Sequence, residues 1–306
     1  MAAGTGVYWH LVSKYQEKHR LLMEEAAADD AAQRSHSKAV TMMLQIDKDV
    51  QRTASQGTVK RDVLRRVLVT YSFFNCNVGY CQAMHRVAAL FLERMSEEEA
   101  FWLLSTLVEC LLPRDYYTET MAGVHTDIQT VNTLAHIILP RLMLLLDTSG
   151  ITLDVFLSKW LMALFIGSMQ PAAACRVIDL VIYDGSYMLF QVILGLLKAV
   201  ETSIVRATAA AAAATDTGAA AAASSGVNTV VSSIGVDTCT LMNAIQGAPE
   251  VVTDACFAAI VFSVEVPPKD KIESLRMAFR VKCNKQAAVE YEHAQAASST
   301  SSSSTP

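Results

Sequence analysis

The chain has 306 residues, 52% of them hydrophobic and 18% charged, with a net charge of −5 and a pI near 5.8. That length suits one large domain or two small ones with a sizeable core, and the acidic balance excludes the basic face of a nucleic-acid binder. The seven cysteines are scattered, with no C-x-x-C pair and no histidines at zinc spacing, so they read as buried thiols in a reducing compartment rather than ligands or disulfides.

Taken in order, the opening "MAAGTGVYWH" lacks the basic and apolar regions of a secretory leader. Residues 7–30 carry an amphipathic helical pattern, and a second helix is predicted near 37–53. In 60–74, Val63, Leu64, Val67, Leu68 and Tyr71 fall on one helical face, while Lys60, Arg61, Arg65 and Arg66 read as a solvated basic face that could meet an acidic protein surface or lipid. The turn-forming "NVG" at 77–79 leads into the apolar helical run "AMHRVAALFLERM", with Tyr80 and Gln82 in its opening turn. Ser96 is an N-cap, Glu97, Glu98 and Glu99 suit the positive end of the helix dipole, and Pro113 lies just beyond the end. Further helices fit 125–146, 151–169, 171–184 and 186–202. No apolar run reaches the ~18 residues of a membrane span. Sustained period-two alternation is missing, so the fold class is all-α with short connections.

From Arg206 the composition changes. The Ala-rich, low-complexity stretch 206–250 reads as a linker, 251–292 as a C-terminal helical segment that could complete the domain, and 293–306 as a disordered tail. His85, His125 and His136 have no metal spacing and read as structural; no metal is expected. Trp102 and Trp160 fall on apolar stripes and read as core.

Two short patterns carry chemistry. In Ile46-x-x-Asp49-x-x-Arg52, Asp49 and Arg52 are helical neighbours, so the carboxylate can orient the guanidinium while Ile46 anchors the turn in the core. Arg52 precedes the loop-like "ASQGT" and can project outward. About thirty residues later comes Gly79-Tyr80-x-Gln82, where the glycine permits a tight approach.

Ile-x-x-Asp-x-x-Arg followed by Gly-Tyr-x-Gln resembles the two-motif signature of the TBC domain, whose members activate Rab-type small GTPases. "VLVTYSFFNCNVGYCQAM", "SEEEAFWLL", "LLPRDYYTETMAG", "LSKWLMALFIGSM" and "VIYDGSYMLFQVILGLLKAVE" look like further blocks of that family in the same order. The closest likeness is to the subclass that carries GRAM domains. The resemblance is clear over 40–205 and implies a TBC domain over 1–205, built as two helical lobes. It implies that Arg52 is an arginine finger and Gln82 a glutamine finger, both inserted into the nucleotide pocket of a GTP-bound Rab. There the arginine would neutralise transition-state charge and the glutamine would position the water. Asp49 would orient Arg52, Tyr80 would brace Gln82, and Ile46 and Gly79 would support the two motifs. The expected protein is therefore not an enzyme in its own right. It has no cofactor beyond the GTP and Mg of its partner, works in the cytoplasm in vesicle traffic, and meets membranes only through that partner. The alternative is a TBC-fold scaffold that binds a Rab or another partner without accelerating hydrolysis. The loop after Arg52, which lacks the family's Pro-x-His-x-x-Phe stretch, points to that alternative; the presence of both fingers points away from it.

Overall fold

The computed structural model describes residues 6–28, 38–54, 59–215 and 237–283. Among these, every regular element is a helix and no strand occurs. The helices are α1 (Val7–Ala28), α2 (Lys38–Ala54), α3 (Arg61–Phe74), α4 (Met84–Leu92), α5 (Glu97–Thr106), α6 (Ala122–Ile138), α7 (Pro140–Thr148), α8 (Asp154–Met162), α9 (Pro171–Asp184), α10 (Met188–Thr215), α11 (Thr238–Gly247), α12 (Asp254–Val261) and α13 (269–283). Helix α5 runs on through a widened π turn at Leu107–Leu111 before Pro113. The chain divides into two compact units: Met1–Met121 with Lys159–Gly167 and Ala174–Ser186, and Ala122–Ser158 with Ser168–Ala173 and Tyr187–Pro306.

The first unit is built on aromatic packing among α1, α3 and α5. Tyr8, Tyr71 and Phe101 are fully buried, with Tyr8 and Phe101 ring centroids 4.9 Å apart. A buried phenol needs a partner, and the Tyr8 hydroxyl donates to Glu97 Oε1 at 2.6 Å. Arg66 reaches the same carboxylate in a two-pronged pair, Nε to Oε1 at 2.5 Å and Nη2 to Oε2 at 2.6 Å. Arg65 pairs with Asp47 at 2.5 Å and lies 2.9 Å from His19. Half of the expected solvated basic face is thus internal structure: Arg65 and Arg66 tie α3 to its neighbours, and Lys60 and Arg61 remain exposed. A helical repeat reports which residues share a face, but not that acidic groups from other helices meet that face. At the start of α5, Glu99 accepts from both the backbone N–H and the hydroxyl of Ser96, at 2.9 and 2.7 Å. This ties the first turn to its cap.

The second unit is organised around α10. Leu189, Phe190, Val192, Ile193, Leu194, Leu196 and Leu197 are all inaccessible to solvent. Gly195 lets α12 approach closely: an added Cβ would sit 2.5 Å from the Ile260 carbonyl oxygen. Gln191 donates to the Val261 carbonyl oxygen, which the end of α12 leaves without a helical partner, and to the Val264 carbonyl oxygen just beyond it, at 2.7 and 2.9 Å.

Several expectations change. The span 125–146 is two helices, bent by 113° where Pro140 opens α7. Within the span 151–169 only Asp154–Met162 is α-helical; beyond it Leu164, Phe165 and Gly167 all take positive φ. The expected linker 206–250 contains the end of α10, as far as Thr215, and all of α11, which buries Leu241 and Ile245. Residues 216–236 of that linker, 284–292 of the C-terminal segment and the 293–306 tail lie outside the described residues. Met188–Ala207 is long and apolar enough to cross a membrane although Lys198 and Glu201 interrupt it; 61% of it is buried inside the protein. None of the seven cysteines is fully buried: Cys76, Cys110 and Cys239 are exposed and the other four are intermediate. Trp160 is core, but Trp102 is only half-buried.

Candidate functional site

The first motif occupies the last turns of α2. Ile46 is fully buried, as its apolar side chain requires. Asp49, one turn on, is also inaccessible to solvent, yet it is charged. Burying a carboxylate is costly unless hydrogen bonds compensate, and here they converge on it from three side chains. Arg52 donates to Oδ1, and Oδ2 accepts from the Tyr80 hydroxyl at 2.7 Å and from Gln45 Nε2 at 3.0 Å. Burial alone would raise the Asp49 pKa; the hydrogen bonds from Tyr80, Gln45 and Arg52, with the charge interaction at His85, outweigh it and hold the group below its ordinary value. The Thr53 hydroxyl donates to the Asp49 backbone carbonyl oxygen at 2.9 Å, fixing the same turn. The Arg52 guanidinium holds this buried carboxylate while its own side chain stays 62% exposed.

The second motif lies between α3 and α4. Asn75 accepts from the backbone N–H groups of Val78 and Gly79 at 3.2 and 2.7 Å, closing the "NVG" turn. Gly79 has φ +64°, and a Cβ there would meet Met42 Sδ at 3.0 Å, so conformation and space both favour glycine. Met84 N–H then donates to the Cys81 carbonyl oxygen at 3.2 Å, placing Gln82 and Ala83 at the corner of a tight turn. Ala83 has φ 85° and ψ −24°, the conformation of the third residue of a type II turn, where glycine is usual. Gln82 is exposed and precedes α4, instead of standing in its first turn as its apolar pattern suggests. The positive φ at Ala83 is the reason: a residue in the left-handed region cannot continue a right-handed helix.

The two motifs are joined by one hydrogen bond. Tyr80, two residues before Gln82, donates to Asp49, three residues before Arg52. Burial, and then the neighbouring Asp49 carboxylate, push the Tyr80 hydroxyl above its ordinary pKa, so it keeps its proton at neutral pH. His85 completes the network with Nδ1 2.9 Å from the Tyr80 oxygen and 3.6 Å from Asp49 Oδ2. Burial lowers the His85 pKa to about 4; Asp49 opposes that shift, while Arg86 and Arg52 reinforce it. The imidazole is neutral at pH 7.

Arg52, Asp49, Tyr80, Gly79 and Ile46 therefore meet in one unit, and Gln82 stands beside them at the turn. The arrangement presents a planar cation and a neutral amide, each on a rigid support. Two members of the network escaped the sequence reading. Gln45 could have been found, since it lies one turn before Asp49 on the same face. His85 could not, because its place beside Tyr80 depends on the turn that separates them.

The Rab-GTPase-TBC domain profile matches residues 5–205. The chain is 37% identical over 169 residues to human Small G protein signaling modulator 3, covering 53% of this chain and 23% of that protein. It is 35% identical over 172 residues to TBC1 domain family member 2B of Xenopus tropicalis, covering 53% and 18%. The chain thus spans less than a quarter of the length of these two relatives. Among solved structures, the Chlamydomonas flagellar RabGAP TBC domain aligns with a TM-score of 0.53 at 21% identity, covering 86% of both chains. The Ypt/Rab-GAP domain of Gyp1p aligns with a TM-score of 0.52 at 12% identity, covering 88% of this chain and 81% of that one. At these identities the structural likeness carries the fold, and the profile carries the family: the chain belongs to the Rab-GTPase-TBC domain family.

Proposed function

We propose that this protein accelerates GTP hydrolysis by a Rab-family small GTPase, supplying Arg52 as an arginine finger and Gln82 as a glutamine finger in trans. The observation that carries the reading is the Tyr80–Asp49 hydrogen bond of 2.7 Å, which couples the turn bearing an exposed Gln82 to the helix end bearing an exposed Arg52. A small GTPase hydrolyses GTP slowly because charge on the transferring phosphoryl group is poorly neutralised. An inserted arginine supplies that neutralisation and is worth about 10³–10⁵ in rate. In this reading the guanidinium bridges phosphate oxygens, with Asp49 fixing its inner edge, and the Gln82 amide holds the attacking water in line. The GTP and Mg belong to the partner, and any contact with a membrane is made through it in the cytoplasm.

The test is phosphate release from a panel of GTP-loaded Rabs with and without this protein, paired with binding to the same Rabs. At least one Rab should be accelerated, and its affinity should rise when GDP with aluminium fluoride mimics the transferring phosphoryl group, since catalysis requires tighter binding of the transition state. Binding of equal strength to the GDP, GTP and fluoride states, without acceleration, would instead identify a scaffold.

A further inference from the structure

We propose that His85 is a positioning residue for Arg52, acting through the Tyr80 hydroxyl and the Asp49 carboxylate. The argument is one of hydrogen-bond capacity. A tyrosine hydroxyl has a single proton, and Tyr80 gives it to Asp49 Oδ2 at 2.7 Å. The 2.9 Å contact between the Tyr80 oxygen and His85 Nδ1 must then be donated by the ring. A neutral imidazole has one N–H, so in this structure it sits on Nδ1 and Nε2 is bare. The result is a directional relay: His85 Nδ1–H to the Tyr80 oxygen, Tyr80 O–H to Asp49 Oδ2, and Asp49 Oδ1 accepting from Arg52.

Each step removes a freedom. With its oxygen occupied by the ring N–H, the Tyr80 hydroxyl cannot rotate its proton away from Asp49. With Tyr80 and Gln45 both on Oδ2, the carboxylate is locked with Oδ1 towards Arg52. His85 itself is 6% exposed and held in the first turn of α4, whereas Asp49 and Arg52 belong to α2. It therefore transmits the position of the helix behind Gln82 to the guanidinium. It does not touch a nucleotide itself. Replacing the ring with an apolar group leaves the Tyr80 oxygen without a donor and its proton free to turn. An asparagine at 85 would keep the function, because its side-chain nitrogen occupies nearly the place of Nδ1 and carries protons.

The activity arm rests on the proposed GTPase-activating role; a second arm does not. In the first, single-turnover GTP hydrolysis by an accelerated Rab is measured over a range of protein concentrations. His85→Leu should lower the saturating rate about tenfold or more, as a misplaced catalytic group does, with the half-saturating concentration within about twofold of wild type. His85→Asn should recover most of the rate, and His85→Leu should have no further effect in an Arg52→Ala background. In the second arm, without any GTPase, nitrogen NMR of the free protein should find His85 protonated on Nδ1 at neutral pH. Arg52 Nε relaxation should show the side chain becoming more mobile in His85→Leu and returning to order in His85→Asn. Thermal melting accompanies every variant. The proposal is overturned if Nε2 carries the proton, or if Arg52 mobility is the same in wild type and in a folded His85→Leu. It is also overturned if leucine and asparagine impair the rate equally. If no Rab responds but the NMR outcomes hold, the positioning role stands and the GTPase-activating reading fails.

Discussion

Two of the arginine–aspartate pairs among the described residues begin from the same chemistry and end in opposite states. In the second unit, Arg276 of α13 grips Asp127 of α6 with two parallel bonds, Nε to Oδ1 at 2.8 Å and Nη2 to Oδ2 at 2.9 Å. Its remaining nitrogen reaches Glu273 at 2.8 Å, and its Cζ lies 4.7 Å from the centre of the Phe190 ring. Both partners are buried, the arginine side chain at 8% exposure and the aspartate at 0%. Burial alone would lower the arginine's pKa, but the facing Asp127 carboxylate and then Glu273 raise it. In the first unit the aspartate is just as buried, yet Arg52 is 62% exposed. Asp49 Oδ2 is taken by Tyr80 and Gln45, so one carboxylate oxygen is left to meet the arginine and the guanidinium is not enclosed. The closed pair is withdrawn from solvent, whereas the open one leaves its guanidinium largely exposed.

The comparison is broken most directly by removing each arginine. Arg52→Ala should abolish most GTPase stimulation, a loss of about 10³-fold or more if the finger reading holds, while the melting temperature falls less than in Arg276→Ala, because the buried Asp49 keeps its Tyr80 and Gln45 hydrogen bonds and the lost guanidinium is largely exposed. Gln82→Ala should also be severe, and the double variant little worse than the poorer single one, since groups acting on one transition state are strongly non-additive. Single-turnover hydrolysis with parallel melting reads all three. If both single variants keep full stimulation while folding normally, neither residue is a finger.

Arg276→Ala should do the reverse. Leaving Asp127 buried without its counter-charge costs about 3–5 kcal/mol, visible as a large fall in the denaturation midpoint. An Arg276→Ala protein as stable as wild type would mean that the pair is not closed in solution. Next in size, Gly195→Ala should destabilise by about 1–3 kcal/mol by driving a methyl group into the α12 backbone. A neutral result in denaturant titration would show that α10 and α12 pack less closely than described.

A further effect separates the two pairs by pH. His85 has its pKa lowered from 6.5 to about 4, so below pH 6.5 the unfolded chain binds a proton that the folded chain refuses. The stability this contributes is complete above about pH 6.5 and is lost as pH falls towards 4. Asp49, Arg86 and Arg52 are the charged groups that set the shift. Burial also lowers the pKa of His19, so the comparison needed is wild type against His85→Asn, whose stability should fall less steeply over that window. Parallel curves would remove His85 from the buried network. Smallest of all, Ala83→Gly should stabilise by up to about 1 kcal/mol by relieving the left-handed backbone; a clear loss of stability would mean that the alanine methyl contributes packing that outweighs its strain.

Much of this was legible in the sequence because it is local. The helical face of Val63, Leu64, Val67, Leu68 and Tyr71, the Ser96 cap, the stop before Pro113 and the Asp49–Arg52 spacing all depend on neighbours within a turn or two. The motif residues stand out through their resemblance to the TBC-domain signature, since their spacing alone is common. Hidden were the facts set by distant partners. Arg65 and Arg66 read as solvated until Asp47 and Glu97 meet them. The Ala-rich stretch conceals α11, because Leu241 and Ile245 matter only once there is a core to receive them. The Gln82 turn resembles a helix start because nothing in the residue name Ala83 announces a positive φ.

The sequence by itself determined that this is an all-helical chain bearing two spaced motifs, since helix periodicity, capping and motif spacing are properties of short segments. Tertiary structure alone decided that Arg276 is enclosed and that Arg52 is left exposed. It also decided that His85 joins the pair of motifs. Those outcomes depend on the arrival of Tyr80 at Asp49 and of Arg276 at Asp127, across 31 and 149 residues of chain. Which groups fill a carboxylate's hydrogen-bonding capacity is settled by the packing that brings them there.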